Sequence, residues 1–268
     1  MDLGGGVHTF QSPLWQTNAL VCDRDGEVLL CDPALSDDEI ATLSTLAGAR
    51  PTHILLTHAD YDHTCGLAAF GAATVVAGPA TAAAVTEHGA APLRAAGPAW
   101  GWSWPGEPRV DRIAAPGEHR FGPWRIEAFE ADGHVADGMA FALLDEGVLL
   151  PGDYLSAITI PFVTASLRAA RATVARLVDA IDRLDLRWVV PGHGPPLAPG
   201  LARRIAVEDL LYLDELAAAA SEARRLGLAP GFAHLHVYGV RQPRPETDDF
   251  AIYGIHASNA RIALSEEN

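Results

Sequence analysis

A chain of 268 residues that is 49% hydrophobic and 20% charged suits a soluble globular protein, built as one large α/β domain or two small ones. Its net charge of −15 repels phosphate backbones and argues against nucleic acid as a partner. All 19 basic residues are Arg, which excludes lysine Schiff-base chemistry and leaves only Arg to meet an anionic substrate group.

Residues 1–6 have neither a basic stretch nor an apolar one, so no signal peptide is expected. No uncharged apolar run reaches the ~18 residues of a transmembrane helix, so no membrane association is expected. Residues 17–23 and 27–31 read as a hairpin around Asp25-Gly26. Such a turn sets Cys22 opposite Leu29 and Cys31 opposite Leu20, so the two sulfurs are not direct partners. With three Cys in all, a reduced cytoplasmic protein fits.

Ser36-Asp37-Asp38-Glu39 is a capping box that opens a helix to about Ala47, with Gly48 as its stop. Residues 52–56 are short, apolar and β-branched, the pattern of a buried strand. Thr57-His-Ala-Asp-Tyr-Asp-His63 leaves its end, and residues 64–70 read as the start of a short helix. Residues 73–77 predict another buried strand and 79–88 a helix. Residues 97–108 form a loop rich in Trp, with Trp100, Trp102 and Trp104 as a hydrophobic lid or a buried patch. Strands are predicted at 109–114, 124–130, 139–144 and 147–151. Apolar residues at three- and four-residue spacing mark a helix over 166–184. Arg187–Val190 reads as a strand, one or two helices cover about 199–227, and the tail from 230 has no clear assignment. No repeat or low-complexity linker divides the chain, so a single domain over 1–268 is expected, with the region from about 199 packed on it.

Ligand-capable residues stand at strand end after strand end: Asp32; His58, Asp60, Asp62 and His63; His134; Asp153; His193. In this the chain resembles the metallo-β-lactamase fold hydrolases, whose signature is His-x-His-x-Asp-His followed by a lone His, a Gly-Asp and a Gly-His. The resemblance runs from about residue 17 to 197. It implies a four-layer αββα sandwich with two metals in one cleft. His58, Asp60 and His134 would hold the first metal. Asp62, His63 and His193 would hold the second, with Asp153 bridging both. Such a pair lowers the pKa of a bridging water and polarises a carbonyl. Asp62 would also orient the attacking water, and Asp32 would support the metal loop.

The chain departs from the signature at Asp60, where the family has His. The flavodiiron oxygen reductases, which are relatives, carry an acidic residue at that position. Two Zn ions are the first expectation, and the third carboxylate, Asp60, shifts the odds towards Fe or Mn. Tyr154 follows Asp153 and either donates to an oxyanion or packs in the core. Cys65 reads as buried filler. His234 and His236 alternate, so a strand would set both on one face as a further metal site. His256 could reach the cleft from the tail.

The resemblance therefore implies a dinuclear enzyme that uses a metal-bridging hydroxide to cleave an ester-type bond, a thioester or lactone, in a small-molecule substrate, and the cysteine usage and N-terminus place it in the cytoplasm as an expectation. Two rival readings stand beside it: non-haem iron chemistry on oxygen or persulfide, and a non-catalytic binder with an impaired first site. The oligomeric state, a homodimer included, stays open.

Overall fold

The computed structural model describes residues 1–33, 36–47, 51–89, 91, 94, 95, 97, 106–245, 250 and 254–266. Seven strands form the first sheet in sequential order: β1 (Asp2–Gly4), β2 (Val7–Gln11), β3 (Asn18–Arg24), β4 (Glu27–Cys31), β5 (His53–Leu56), β6 (Thr74–Ala77) and β7 (Arg112–Ile113). The second sheet has β8 (Gly117–Phe121), β9 (Trp124–Glu130), β10 (Met139–Leu143), β11 (Val148–Leu150) and β12 (Trp188–Val189), in the order β12-β11-β10-β9-β8. The helices are α1 (Asp37–Leu46), α2 (Tyr61–Thr64), α3 (Pro79–His88), α4 (Leu167–Arg183), α5 (Pro199–Arg225), α6 (Pro230–Tyr238) and α7 (Ile255–Ser265).

Alternation along the strands sets the layers. Leu20, Cys22, Leu29, Cys31, Leu55 and Val76 face Trp124, Ile126, Phe141, Leu143, Val148 and Leu150 between the sheets. The intervening residues Val21, Leu30, Ile54, Leu56 and Val75 face outward, where Leu43 of α1 and Val85 of α3 cover them. On the second sheet the outward residues Ala140 and Ala142 are small, which lets α4, α5 and α7 lie close through Val174, Leu177, Leu213, Leu216 and Ala260. The result is the four-layer αββα sandwich expected from the sequence. Among the described residues no helix is long and apolar enough to cross a membrane.

The hairpin register matches the expectation, with Cys22 opposite Leu29 and Cys31 opposite Leu20. All three cysteines are buried thiols outside any disulfide. The capping box of Ser36 and Glu39 is formed. It contributes about 1 kcal/mol, while burial of Leu43 in the outer core adds ~2 kcal/mol and does more to fix α1. The expected stop at Gly48 and the Trp100, Trp102 and Trp104 loop lie outside the described residues.

Several elements differ from expectation. The helix predicted after the metal motif begins inside it, at Tyr61, and a 3₁₀ turn occupies Leu67–Phe70. The strand at 109–114 shrinks to Arg112–Ile113, whose two residues pair with β6. Strands β1, β2 and β8 are additional. The tail forms α6 and α7, not strands, so His234 and His236 point to different faces. His236 lies 3.3 Å from Glu222, and His234 approaches the Ala257 carbonyl at 3.5 Å. They do not make a metal site.

Direction decides where the candidate site can be. β10 is antiparallel to β9 and β11, and β12 is parallel to β11. The carboxyl ends of β9, β11 and β12 therefore share one edge and deliver His134, Asp153 and His193 there. β4, β5 and β6 are mutually parallel, so Asp32 and the 57–63 segment leave one edge together. Met139 N–H donates to the Thr57 carbonyl at 2.7 Å, and Asn18 N–H to that of Gly192 at 2.7 Å. These bonds join the two edges.

Candidate metal centre

Seven side chains converge where the edges meet. His58 Nε2 lies 3.8 Å from both Asp60 Oδ2 and Asp153 Oδ2. His134 Nε2 lies 3.5 Å from Asp60 Oδ2 and 3.3 Å from Asp153 Oδ2. On the other side His63 Nε2 is 3.5 Å from Asp62 Oδ2 and 3.2 Å from Asp153 Oδ1. His193 Nε2 is 3.3 Å from Asp62 Oδ2 and 3.2 Å from Asp153 Oδ2. Ligand atoms of His58, Asp60 and His134 lie within 4.8 Å of one another, as do those of Asp62, His63 and His193. Asp153 stands between the groups.

The far side of each imidazole fixes which nitrogen faces the centre. His134 Nδ1 donates to the Phe162 carbonyl at 2.6 Å, and His193 Nδ1 to the Trp15 carbonyl at 3.0 Å. His63 Nδ1 donates to Asp32 Oδ2 at 3.0 Å. The Thr57 hydroxyl donates to the same carboxylate at 2.6 Å, so it accepts from His58 Nδ1 at 3.0 Å. With every Nδ1 protonated, the four Nε2 lone pairs point inward, the arrangement found where outer partners orient metal-binding imidazoles.

Three of those nitrogens, His58 Nε2, His63 Nε2 and His134 Nε2, are buried without a hydrogen-bond partner among the described residues, as is Asp153 Oδ1. Orphaned buried polar atoms cost about 1–3 kcal/mol each, and here they share one focus. A pair of divalent cations would satisfy them together. The donor set fits such ions.

Electrostatics agree. Burial pushes the carboxyls up, yet the adjacent imidazoles outweigh it and hold Asp60 down at about 2, Asp62 below its usual range and Asp153 well below it. Burial pushes imidazoles down, and His58 stays low beside His63. For the others the carboxylates prevail. Asp153 and Asp60 lift His134 to about 10, Asp153 and Asp62 lift His193 to about 9, and His63 rises well above its usual value. Protons thus occupy positions that cations would take.

The local backbone is shaped for this purpose. Trp15, Gln16, Asp32 and Leu155 are non-glycine residues with φ between 45° and 63°, strain of the kind that gathers at functional sites. At Gly192 a Cβ would overlap Asp153 Oδ1 and come within 3.0 Å of His63 Cε1. The glycine before His193 therefore makes room for the carboxylate between the two groups.

The family model of the metallo-beta-lactamase superfamily matches residues 12–193, the stretch that supplies all seven side chains. The chain belongs to the metallo-beta-lactamase superfamily. No protein with curated function matches it. Among solved structures, TTHA1623 in a di-iron-bound form is 26% identical with a TM-score of 0.58, over 74% of this chain and 98% of that one. The metallo-beta-lactamase family protein TTHA1429 from Thermus thermophilus is 22% identical with a TM-score of 0.66, over 97% and 94%. The inverting sec-alkylsulfatase Pisa1 from Pseudomonas sp. is 15% identical with a TM-score of 0.73, over 98% of this chain and 49% of that one. The last two show the fold alone.

Other residues singled out in the sequence lie away from the superfamily centre. The Tyr154 hydroxyl donates to the Asp132 carbonyl at 2.6 Å and accepts from His134 N–H at 2.8 Å. It steadies the His134 loop and does not line the cleft. His256 is buried against α5, accepting from the Tyr212 hydroxyl at 2.7 Å and donating to the Tyr238 carbonyl at 2.8 Å. It does not reach the cleft either. Cys65 packs in the core.

Some contributors carried no sequence signal. Asn18 donates to the carbonyls of Pro191 and Gly194 at 2.8 and 2.6 Å and holds the His193 loop. Asp137 accepts from Ala59 N–H at 2.8 Å and holds the 57–60 loop. Above the centre is a cleft of about 140 Å³ walled by the rings of Trp15, Tyr61, Phe162 and Phe250.

Proposed function

We propose that the protein is a dinuclear metal-dependent hydrolase that cleaves an ester-type bond, a thioester or lactone, in a small cytoplasmic metabolite. The observation that carries this reading is the convergence of four buried Nε2 atoms and three carboxylates on one point beneath an open cleft. His58, Asp60 and His134 would hold one ion, Asp62, His63 and His193 the other, and Asp153 both. Zn suits the four imidazoles. Bound there, the ions would supply a water acidified to a nucleophile near neutral pH and a Lewis acid for the scissile carbonyl.

The chain's own groups do the rest. Asp62 stands beside His63 and His193 and lines the cleft, where it can accept a hydrogen bond from the attacking water and set its direction. Asp32 keeps His63 and, through Thr57, His58 in the orientation that hydrolysis requires. The rings around the cleft exclude bulk water, which strengthens each electrostatic contact at the reacting bond. Three buried thiols outside any disulfide support a reducing compartment.

Iron is the second reading. The third carboxylate, Asp60, hardens the donor set, and TTHA1623 was solved with two irons. Elemental analysis of the purified protein, with turnover of thioesters, lactones, phosphodiesters and a β-lactam, separates the two. Two metals per chain and lactone or thioester turnover are expected, and Asp153→Ala should lose the second equivalent together with activity. Stoichiometric iron with oxygen consumption and no hydrolysis would overturn the first reading in favour of the second.

A further inference from the structure

We propose that Trp15, Tyr61, Phe162 and Phe250 form an aromatic enclosure that selects an uncharged substrate with an apolar or aromatic acyl side, and that Phe250 is a specificity-determining residue. The inference rests on the hydrolase reading only for the nature of the reacting bond.

The four rings come from four separate segments and meet over the two groups of candidate ligands. Phe162 lies beside His134, ring centroids 5.6 Å apart. Phe250 meets His193 edge-on at 5.2 Å and 81°. Trp15 meets Tyr61 edge-on at 6.0 Å and 66°. A bond held between the groups thus has an aromatic wall on each side. The cleft of about 140 Å³ is smaller than the ~300–1,000 Å³ typical of pockets that enclose whole ligands, so it takes the reacting end of a molecule.

Charge argues for a neutral guest. Among the described residues no Arg lines the cleft, and the chain has no Lys at all. A carboxylate, phosphate or sulfate entering an aromatic cleft would lose its hydration without the guanidinium that normally replaces it. The metals do not make up the deficit. Asp60, Asp62 and Asp153 with one hydroxide would cancel the charge of two divalent ions, four against four. An apolar acyl or aryl group instead gains burial and edge contacts with four rings.

Phe250 comes from outside the family stretch. Trp15, Tyr61 and Phe162 lie within the 12–193 stretch matched by the family model, and Phe250 lies outside it. The C-terminal region that carries it also grips the loop that carries Phe162. Arg244, held by buried Asp209 at 2.6 Å, donates to the Thr159 carbonyl at 2.8 Å. Asn259 donates to the Pro161 carbonyl at 2.6 Å and accepts from Val163 N–H at 2.9 Å. Those bonds fall on both flanks of Phe162. Among the described residues, the C-terminal region therefore sets two of the four aromatic walls.

The test is calorimetric binding of two hydrolysis-inert probes, benzylacetone and its ring-carboxylated counterpart, to the metal-loaded protein. Benzylacetone should bind at least about tenfold more tightly, the difference that ~1.4 kcal/mol of aromatic contact and avoided desolvation gives. Phe250→Ala should weaken benzylacetone about tenfold, leave the carboxylated probe unchanged and leave two metals bound. Phe250→Arg, which keeps the position filled should Phe250→Ala fold poorly, should reverse the preference. Equal or tighter binding of the carboxylated probe to the unmodified protein, no binding of benzylacetone, or equal losses for both probes in the variants would overturn the proposal. Selective benzylacetone binding without ester turnover would instead sink the hydrolase reading and leave this one standing.

Discussion

Tyr154→Phe separates a hydroxyl that stabilises an oxyanion from one that holds a loop. The substitution keeps the ring, which is buried in the helical core, and removes one oxygen. Two backbone groups lose a partner. The Asp132 carbonyl keeps the Thr173 hydroxyl at 2.9 Å, so its loss is small. The buried His134 N–H loses the acceptor it had at 2.8 Å, which costs about 1–3 kcal/mol. For a chain of this size that is a fall in Tm of about 2–12 °C. His134 Nδ1 remains on the Phe162 carbonyl at 2.6 Å, so the imidazole keeps its aim and kcat should fall by less than about tenfold, on the order of 1.4 kcal/mol. An oxyanion donor would behave in the opposite way, losing ~10²–10³ in kcat with stability unchanged. Thermal unfolding, elemental analysis and steady-state kinetics on one preparation decide the matter. A hundredfold loss of kcat with unaltered Tm and metal content would refute the positioning role.

Other outcomes follow from the same geometry. Gly192→Ala places a methyl on Asp153 Oδ1 and should cost about 1–3 kcal/mol together with one metal equivalent; two tightly held metals after gel filtration would contradict the close approach. Asp60→His should raise zinc affinity in a chelator competition, and an unchanged affinity would remove Asp60 from the ligand set. In the metal-free protein the neighbouring carboxylates lift His134 to about 10 and His193 to about 9, so metal uptake must displace their protons. Apparent affinity should keep rising with pH to about 9–10 and uptake should release protons; a plateau already near pH 7 would show that the carboxylates do not lift these imidazoles.

What could be read from the sequence was what a residue does by its own type or its own run. Strands β3 to β6, β10 and β11 are short, largely buried apolar runs between turn residues, and β9 alternates buried apolar with polar residues, so pattern alone located them. β1, β2 and β8 are polar on one face or interrupted by glycine, and their pairing comes from neighbours along the sheet. The run Ala233–Val237 illustrates the limit. Alternating His and apolar residues match a strand by period, yet α6 forms because Ala233 and Val237, four apart, are the buried pair against the other helices.

The same division explains the site. His58, Asp60, Asp62, His63, His134, Asp153 and His193 carry their chemistry in the side chain, so the family resemblance borne by their order and spacing was enough to nominate them as one set. Asn18, Asp137, Arg244 and Asn259 act on backbone groups of distant segments, and nothing in residue type distinguishes them from any surface polar residue. The aromatic walls are less visible still, since Trp, Tyr and Phe are core residues by default. Ligands are constrained by what an ion needs, and that is common to many members of the superfamily. Walls are constrained by what a substrate is, and here one wall comes from beyond the matched stretch. The candidate ligand set is thus written in the motif, while the selectivity proposed here rests on contacts made by a C-terminal region that the motif does not include.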